Sequence, residues 1–380
     1  MGSVKTFKLN QVNSGDTFDF TTASEDASSL LYDREFNNQL ASVASADGTN
    51  EKIKVTFDMP QDISAVGLMN HNIKTGNIKY LDSGLNERGL STGSELLING
   101  EFTSDVADWG VLGTVGLTWD SGQASVDTTS TGGIRQNIIT EIGKTYYIEG
   151  LINSMTSSAV GLRAGTGGSL LDIYISSAGV VGGYFTATGT LTEAYGRNGS
   201  AGITLWEYIR VSEAVAYFSD NTDTNSFFDT FTEVTDAYGI VVNCTYTQDA
   251  GEKKIGQLLS LESLYSFDSA KRLLPKLKIQ QEFNTKSDGG LDKIINGVKH
   301  NGQIKFDNLD NDDVDNLFSL AVYPDPFWIY LAGLSDNNLK QFFKVDDIYL
   351  VNMTNEPYPQ MPSGLVDSIG WVDKIDYSEV

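Results

Sequence analysis

The chain has 380 residues, with 50 Asp and Glu against 26 Lys and Arg, a net charge of −24 that opposes passive attraction to nucleic-acid phosphates or an anionic membrane surface. One cysteine, Cys244, excludes an internal disulfide framework, and two histidines, His71 and His300, leave little for a zinc site or a histidine relay. Hydrophobic residues at 40%, charged residues at 20% and 38 Gly against 7 Pro describe a turn-rich globular chain, long enough for two or three domains.

The N-terminal segment has neither the basic region nor the apolar stretch of a secretory signal, and no run is long and apolar enough to span a membrane, so synthesis in a cytosol and no membrane insertion are expected. Alternation then predicts strands nearly throughout. Ile53, Val55 and Phe57 fall on one face of a run that Pro60 is expected to close. Further strands are expected at 65–68, 77–81, 145–152, 171–175, 184–190, 203–211, 240–245, 277–283, 303–306, 327–331, 348–351 and 369–375. Helical spacing of Val314, Leu317 and Phe318 behind acids predicts a short helix over 311–320, with a weaker one over 337–343.

Composition shifts mark modules. Residues 94–213 are rich in Gly, Thr and Ser and contain a single lysine, Lys144. The following 219–236 carries Asp220, Asp223, Asp229, Glu233 and Asp236 and no Lys or Arg, and reads as a solvated connector. Residues 252–305 hold ten Lys or Arg against six Asp or Glu, a basic island able to pair with the acidic remainder of a neighbouring copy, so a homo-oligomer is expected.

The block opens with Glu95-Leu96-Leu97-Ile98-Asn99-Gly100-Glu101-Phe102 followed by Trp109, and continues with Gly133-Ile134-Arg135-Gln136, Gly143-Lys144-Thr145-Tyr146-Tyr147 and a closing Trp206-Glu207-Tyr208-Ile209-Arg210-Val211. These segments resemble the opening, paired and closing strands of jelly-roll carbohydrate-binding modules. On either side, the segment 32–38, the strand 53–57, the segment 63–72 with Asn70-His71-Asn72, the run 240–243 and Lys254-Ile255-Gly256-Gln257 resemble a discoidin-like sandwich of the kind found in tail and appendage proteins of tailed bacteriophages. Together the resemblances imply an all-β fold with minor α content. They divide it into a discoidin-like β-sandwich (1–93 plus 216–270), an inserted jelly roll (94–215) and a smaller β-rich C-terminal assembly domain (271–380) with one or two short helices.

Candidate chemistry is sparse. Trp206, Tyr208 and Arg210 alternate on one face of the closing strand, with Leu205, Ile209 and Val211 on the other, and form the candidate sugar platform. Asp307, Asp310 and Asp312 lie in a run dense enough in carboxylates to be candidate calcium ligands, although it lacks an EF-hand glycine and also suits a helix cap; no other cofactor is expected. His71 reads as a hydrogen-bonded structural residue and His300, before Asn301-Gly302, as a turn residue. The glycines around 165–168 lack a following Lys-Ser/Thr and read as a turn. No nucleophile has a base in a plausible partner position, so the chain is expected not to be an enzyme.

The expectation is therefore a structural virion protein of a tailed phage or phage-like particle, in a tail tip, baseplate or fibre, located in the virion after synthesis in the host cytoplasm. Its partners would be other virion proteins and a host-surface polysaccharide. A non-virion carbohydrate-binding or adhesion protein is the alternative, and a glycan-processing enzyme the third.

Overall fold

Ile53, Val55 and Phe57 do face inward together, and they begin one of the longest strands of an almost entirely β protein that has one short helix among the described residues. A computed structural model describes residues 2–8, 10–21, 29, 31–32, 40–41, 49–165, 169–219, 226–248, 252–285, 291–306, 311–321, 323–325, 327–330, 348–353 and 374–379. The chain divides into two units: Met1–Gln11 with Ser260–Val380, and Val12–Leu259.

In the first unit, six strands close an antiparallel barrel in the order Gly2–Phe7, Ser263–Thr285, Leu291–Phe306, Lys374–Glu379, Ile348–Met353 and Phe327–Tyr330, which returns to Gly2–Phe7. Closure leaves no free edge. This corrects the expected boundaries, since the N-terminal strand and the segment after residue 260 group with the C-terminal strands and not with the sandwich. The reason is pairing: Phe7 lies opposite both Ser263 and Trp328. His300 is likewise not a turn residue but lies mid-strand opposite Leu277. The helix Asn311–Ala321 forms where expected, with Asp312 and Asp313 in its first turn; residues 337–343 lie outside the described residues.

The second unit holds three sheets. The first, here the base sheet, runs in the order Tyr217–Ser219, Ile73–Leu81, Ser226–Thr247, Glu51–His71, Lys254–Leu261, Leu40–Ala41, with Thr17–Phe20 added to Glu51–His71 and Glu87–Gly89 to Ile73–Leu81. Pro60 does not end its strand. The ladder register instead shifts repeatedly around it, between the pairs Ala65–Thr230 and Thr56–Gly239, as expected where a residue cannot donate. The acidic connector expected over 219–236 is in part a strand from Ser226, because Phe231 enters the core and Phe227 packs at a tilt against Phe218, ring centres 4.4 Å apart.

Residues 91–214 build the other two sheets, and the base sheet has strands both before and after them. One sheet, the seam sheet, has the order Gly179–Thr186, Thr145–Met155, Gly202–Ala214, Gln123–Thr128, Val115–Asp120, with Ser91–Glu95 added to Gly202–Ala214. The other, the open sheet, has the order Leu171–Ile175, Val160–Ala164, Leu191–Asn198, Gly132–Ile139, Gly110–Leu112. Their inward faces share one core containing Ile134, Ile138, Ile148, Leu162, Trp206 and Ile209. Face-to-face burial of two antiparallel sheets is the sandwich arrangement.

Motif residues of the opening segment serve this closure. Asn99 has φ 55°, Gly100 lies where a Cβ would stand 2.3 Å from the Ile209 carbonyl, and the Ile209 amide donates to the Gly100 carbonyl at 2.9 Å. Phe102 packs at a tilt against Trp109, ring centres 5.4 Å apart, and the Trp109 indole donates to the Asn99 carbonyl at 3.1 Å. Gln136 ties the segment down: it accepts from the Ile98 amide at 2.7 Å and donates to the Ile98 carbonyl at 2.8 Å.

The base and seam sheets meet through the Glu87–Gly89 strand, where a Cβ on Gly89 would lie 2.2 Å from the Tyr147 ring. Gly89→Val is expected to destabilise the protein by about 1–3 kcal/mol through overpacking at this contact, read as a lowered denaturation midpoint. An unchanged midpoint would show that the two sheets are not packed here.

Candidate functional site

The strand Gly202–Ala214 decides where the expected sugar platform goes. Across it, Leu151 pairs with Tyr208 and Ile152 with Trp206, so Glu207 is an extra residue, a β-bulge. Alternation restarts at the bulge. Trp206 therefore joins Ile209 and Val211 in the core at 0% exposure, while Tyr208 and Arg210 point to the opposite face of the seam sheet. The expected single face of Trp206, Tyr208 and Arg210 does not exist. Gly150 and Gly196 make room for the Trp206 ring from two directions: a Cβ on either would lie within 3.2 Å of it.

Tyr208 is not free either. Its ring lies between two guanidinium groups, Arg210 at 4.2 Å and Arg88 at 5.3 Å. Arg210 is in turn held by a bidentate pair with Glu101, one contact of which spans 3.0 Å. Both arginines approach the buried Glu149, at 3.8 Å from Arg88 and 3.9 Å from Arg210. A cavity of about 290 Å³ adjoins this cluster, lined by Tyr80, Tyr147, Glu95, Glu101, Glu149 and Arg210 among others.

Burial controls the titration of this seam. It pushes the Glu149 carboxyl above its ordinary value of 4.5, against the pull of Arg88 and Arg210. Burial also raises Glu95, opposed by the amides of Val211 and Leu97, which donate to its carboxylate at 2.8 Å each. Tyr208 and Tyr147 are raised by burial and by the adjoining Glu149. Burial works against the charge of Arg88, yet Glu149 and the phenols of Tyr208 and Tyr80 outweigh it, so Arg88 stays protonated. The seam is a compensated structural cluster and not an open aromatic platform.

The outward face of the open sheet is organised differently. Inward positions there are Val160, Leu162, Ala164, Ile134, Ile138 and Ala194, so the alternate residues form the exterior. Register places those residues in two rows across the strands. One row reads Asp172, Arg163, Tyr195, Arg135, Gly110, and the next reads Tyr174, Gly161, Arg197, Gly133, Leu112. Arg163 lies over the Tyr195 ring at 5.6 Å and Arg197 over Tyr174 at 6.0 Å. Arg135 pairs with Glu193 at 2.8 Å, the Tyr195 hydroxyl donates to the same carboxylate, and Arg197 approaches Asp172 at 3.8 Å. Tyr174 is 40% exposed, and glycines flank Arg197 on both sides, which leaves its row shallow. The Nε atoms of Arg163 and Arg197 make no direct hydrogen bond. Local spacing carries only a repeated Gly-x-Arg, at 133–135 and 161–163, as a sign of this face, since its residues come from five strands.

Elsewhere, Asp307 and Asp310 lie outside the described residues, and Asp312 is exposed on the first helical turn. Among the described residues no group of three or more His, Cys, Asp or Glu is arranged to hold a metal. His71 is buried and its Nδ1 accepts from the Ile73 amide at 3.1 Å, a structural contact.

Two outcomes follow from the seam. Trp206→Ala is expected to cost about 3–5 kcal/mol of stability, because it empties the centre of the core and not a surface platform. A carboxyl with a raised folded pKa contributes stability that is complete below its unfolded value and is lost as pH rises through the folded value. The thermal midpoint is therefore expected to rise as pH falls from neutral toward the ordinary carboxyl value of 4.5, and Glu149→Gln to flatten that slope. A slope unaltered by Glu149→Gln would remove Glu149 from the account.

No protein-family model matches the chain, and no curated protein matches it. Solved structures similar to part of it include a structure titled "CBM4 structure and function", at 12% identity and TM-score 0.26, covering 30% of this chain and 98% of that one. The N-terminal cellulose-binding domain of Cellulomonas fimi β-1,4-glucanase C is similar at 18% identity and TM-score 0.27, covering 32% of this chain and 99% of that domain. CBM1 of BiXyn10A is similar at 12% identity and TM-score 0.26, covering 33% and 99%.

Proposed function

We propose that the protein is a structural component of a tailed phage or phage-like particle whose 91–214 sandwich contacts a host-surface glycan through the outward face of its open sheet. The observation that carries the glycan reading is the paired Tyr–Arg lattice of that face. A sugar presents C–H bonds on its ring faces and hydroxyls around its rim; an exposed ring such as Tyr174 can stack on the former, and guanidinium forks can hold the latter. The opposite face of the sandwich is unsuitable, because Tyr208 and Tyr147 there are buried beneath the base sheet. The particle assignment rests on the resemblance of the flanking segments to phage appendage proteins, and the chemistry proposed is binding and not catalysis.

One shallow site of this kind gives affinity on the order of millimolar, and many copies on one particle convert that into useful avidity. Glycan-array screening of the full chain, displayed multivalently, is expected to find a surface polysaccharide that is retained, with Tyr174→Ala weakening retention about fivefold or more. Retention untouched by Tyr174→Ala would move the site off this face. Mass spectrometry of purified particles is expected to find the chain at fixed stoichiometry, and its absence from them would sink the particle assignment.

A further inference from the structure

We infer that the glycan read by the open face is anionic, a polysaccharide carrying carboxylates such as a uronate polymer; the inference rests on the glycan reading above and adds the ligand's charge. The sequence segment 91–214 contains five basic residues, Arg135, Lys144, Arg163, Arg197 and Arg210, and three of them share this one face. Against them stand Asp172 and Glu193, so the lattice carries a net +1 in a chain whose total is −24.

The pairing within the lattice is incomplete in a particular way. Arg135 is matched by Glu193 at 2.8 Å. Arg197 has only a long contact to Asp172 at 3.8 Å, and Arg163 has no ion pair among the described residues although Asp172 is its cross-strand neighbour. The Nε atoms of both Arg163 and Arg197 are shielded from solvent and make no direct hydrogen bond. That shielded edge is out of a ligand's reach; the donor capacity each guanidinium keeps is on its terminal Nη pair, which fits a planar, two-oxygen acceptor, the geometry in which arginine is distinguished from lysine. Ring contacts, with the buried Tyr195 for Arg163 and with the more exposed Tyr174 for Arg197, orient the two guanidinium groups.

Placement also fits a polymer. Arg163 and Arg197 lie on adjacent strands and in adjacent rows, so they are diagonal neighbours, roughly 7–8 Å apart at the backbone. Gly161 and Gly133 flank Arg197 with no side chains of their own, and the Arg197 side chain reaches across Gly161 to Tyr174 and Asp172. A neutral glycan would leave these donors facing only hydroxyls; a carboxylated one supplies the charge-assisted partner that the protein itself does not.

The test is calorimetric titration of the full-length protein with uronate oligomers (oligogalacturonate and alginate oligomers), with cellohexaose as a neutral oligomer and dextran sulfate as a sulfated polymer. The expected result is uronate binding at least about tenfold tighter than neutral binding, weakened about tenfold by Arg163→Gln and again by Arg197→Gln. Arg163→Lys should recover little of it, since an ammonium lacks the fork. Raising NaCl from about 0.1 to about 0.5 M should weaken uronate binding. Lys144→Gln should leave it unchanged, and all variants should retain the parent melting midpoint. Should Arg163→Gln fail that folding check, Arg197→Gln carries the comparison alone. Neutral oligomers bound as tightly as uronates, with the arginine variants silent, would overturn the inference while leaving the glycan reading in place. Loss of all oligosaccharide binding would overturn both. Dextran sulfate bound as tightly as the uronates would also overturn it, by showing an unselective polyelectrolyte patch.

Discussion

The β-bulge at Glu207 is the constraint from which the arrangement of the 91–214 sandwich follows. Without it, strict alternation would set Trp206 and Tyr208 on one face, and the largest side chain in the core would be missing from between the two sheets. With it, Trp206 fills the space that Gly150 and Gly196 leave open, and Tyr208 and Arg210 turn to the far face of the seam sheet. One residue added to one strand thus sets both the packing of the interior and the composition of the exterior.

The second consequence is electrostatic. Turned outward, Arg210 and Tyr208 meet Arg88 from the base sheet around the buried Glu149. Removing Arg88 leaves the buried Glu149 beside only the half-exposed Arg210, so the Arg88–Glu149 pair acts as a lock on register even where its net contribution to stability is small. The cost to function is one face of the sandwich: rings that could stack on a ligand are committed to a protein contact. Only the open sheet keeps an aromatic and cationic face directed away from the base sheet, which is why the proposed site moves from the closing strand to the rows built on Arg163 and Arg197.

Much of the fold was legible in the residues. Ile53, Val55 and Phe57 announced their strand by alternation and the acids before Val314 announced the helix, while Asn99-Gly100, noticed only as part of a resemblance, owes its place to a positive φ and close approach to Ile209. What was not legible depended on partners distant in sequence. A bulge is a statement about two strands, and Glu207 carries no local mark of it; the face assigned to Trp206 was wrong for that reason. The pairing of Gly2–Phe7 with Ser263–Thr285 joins segments more than 250 residues apart, beyond any local pattern. Phe227 and Phe231 were obscured by the surrounding acids. The arginine rows had a faint trace, a Gly-x-Arg at 133–135 and again at 161–163, yet only the register of the strands between them makes those residues neighbours.

A net charge of −24 and a face that seeks an acidic polymer are not in conflict once distance is considered. At physiological salt the Debye length is about 8 Å, so a ligand lying on the open sheet interacts with the charges of that sheet and only weakly with the rest of the protein. There the local sum is positive and two guanidinium groups have donors to spare. The global charge instead acts at long range, where it slows approach and discourages loose adsorption of any polyanion elsewhere on the surface. Repulsion by the whole protein and attraction by one small face together favour a seated ligand over a merely adsorbed one. That combination suits a weak site repeated many times, because avidity multiplies whatever selectivity the single site has and would multiply indiscriminate adsorption just as readily.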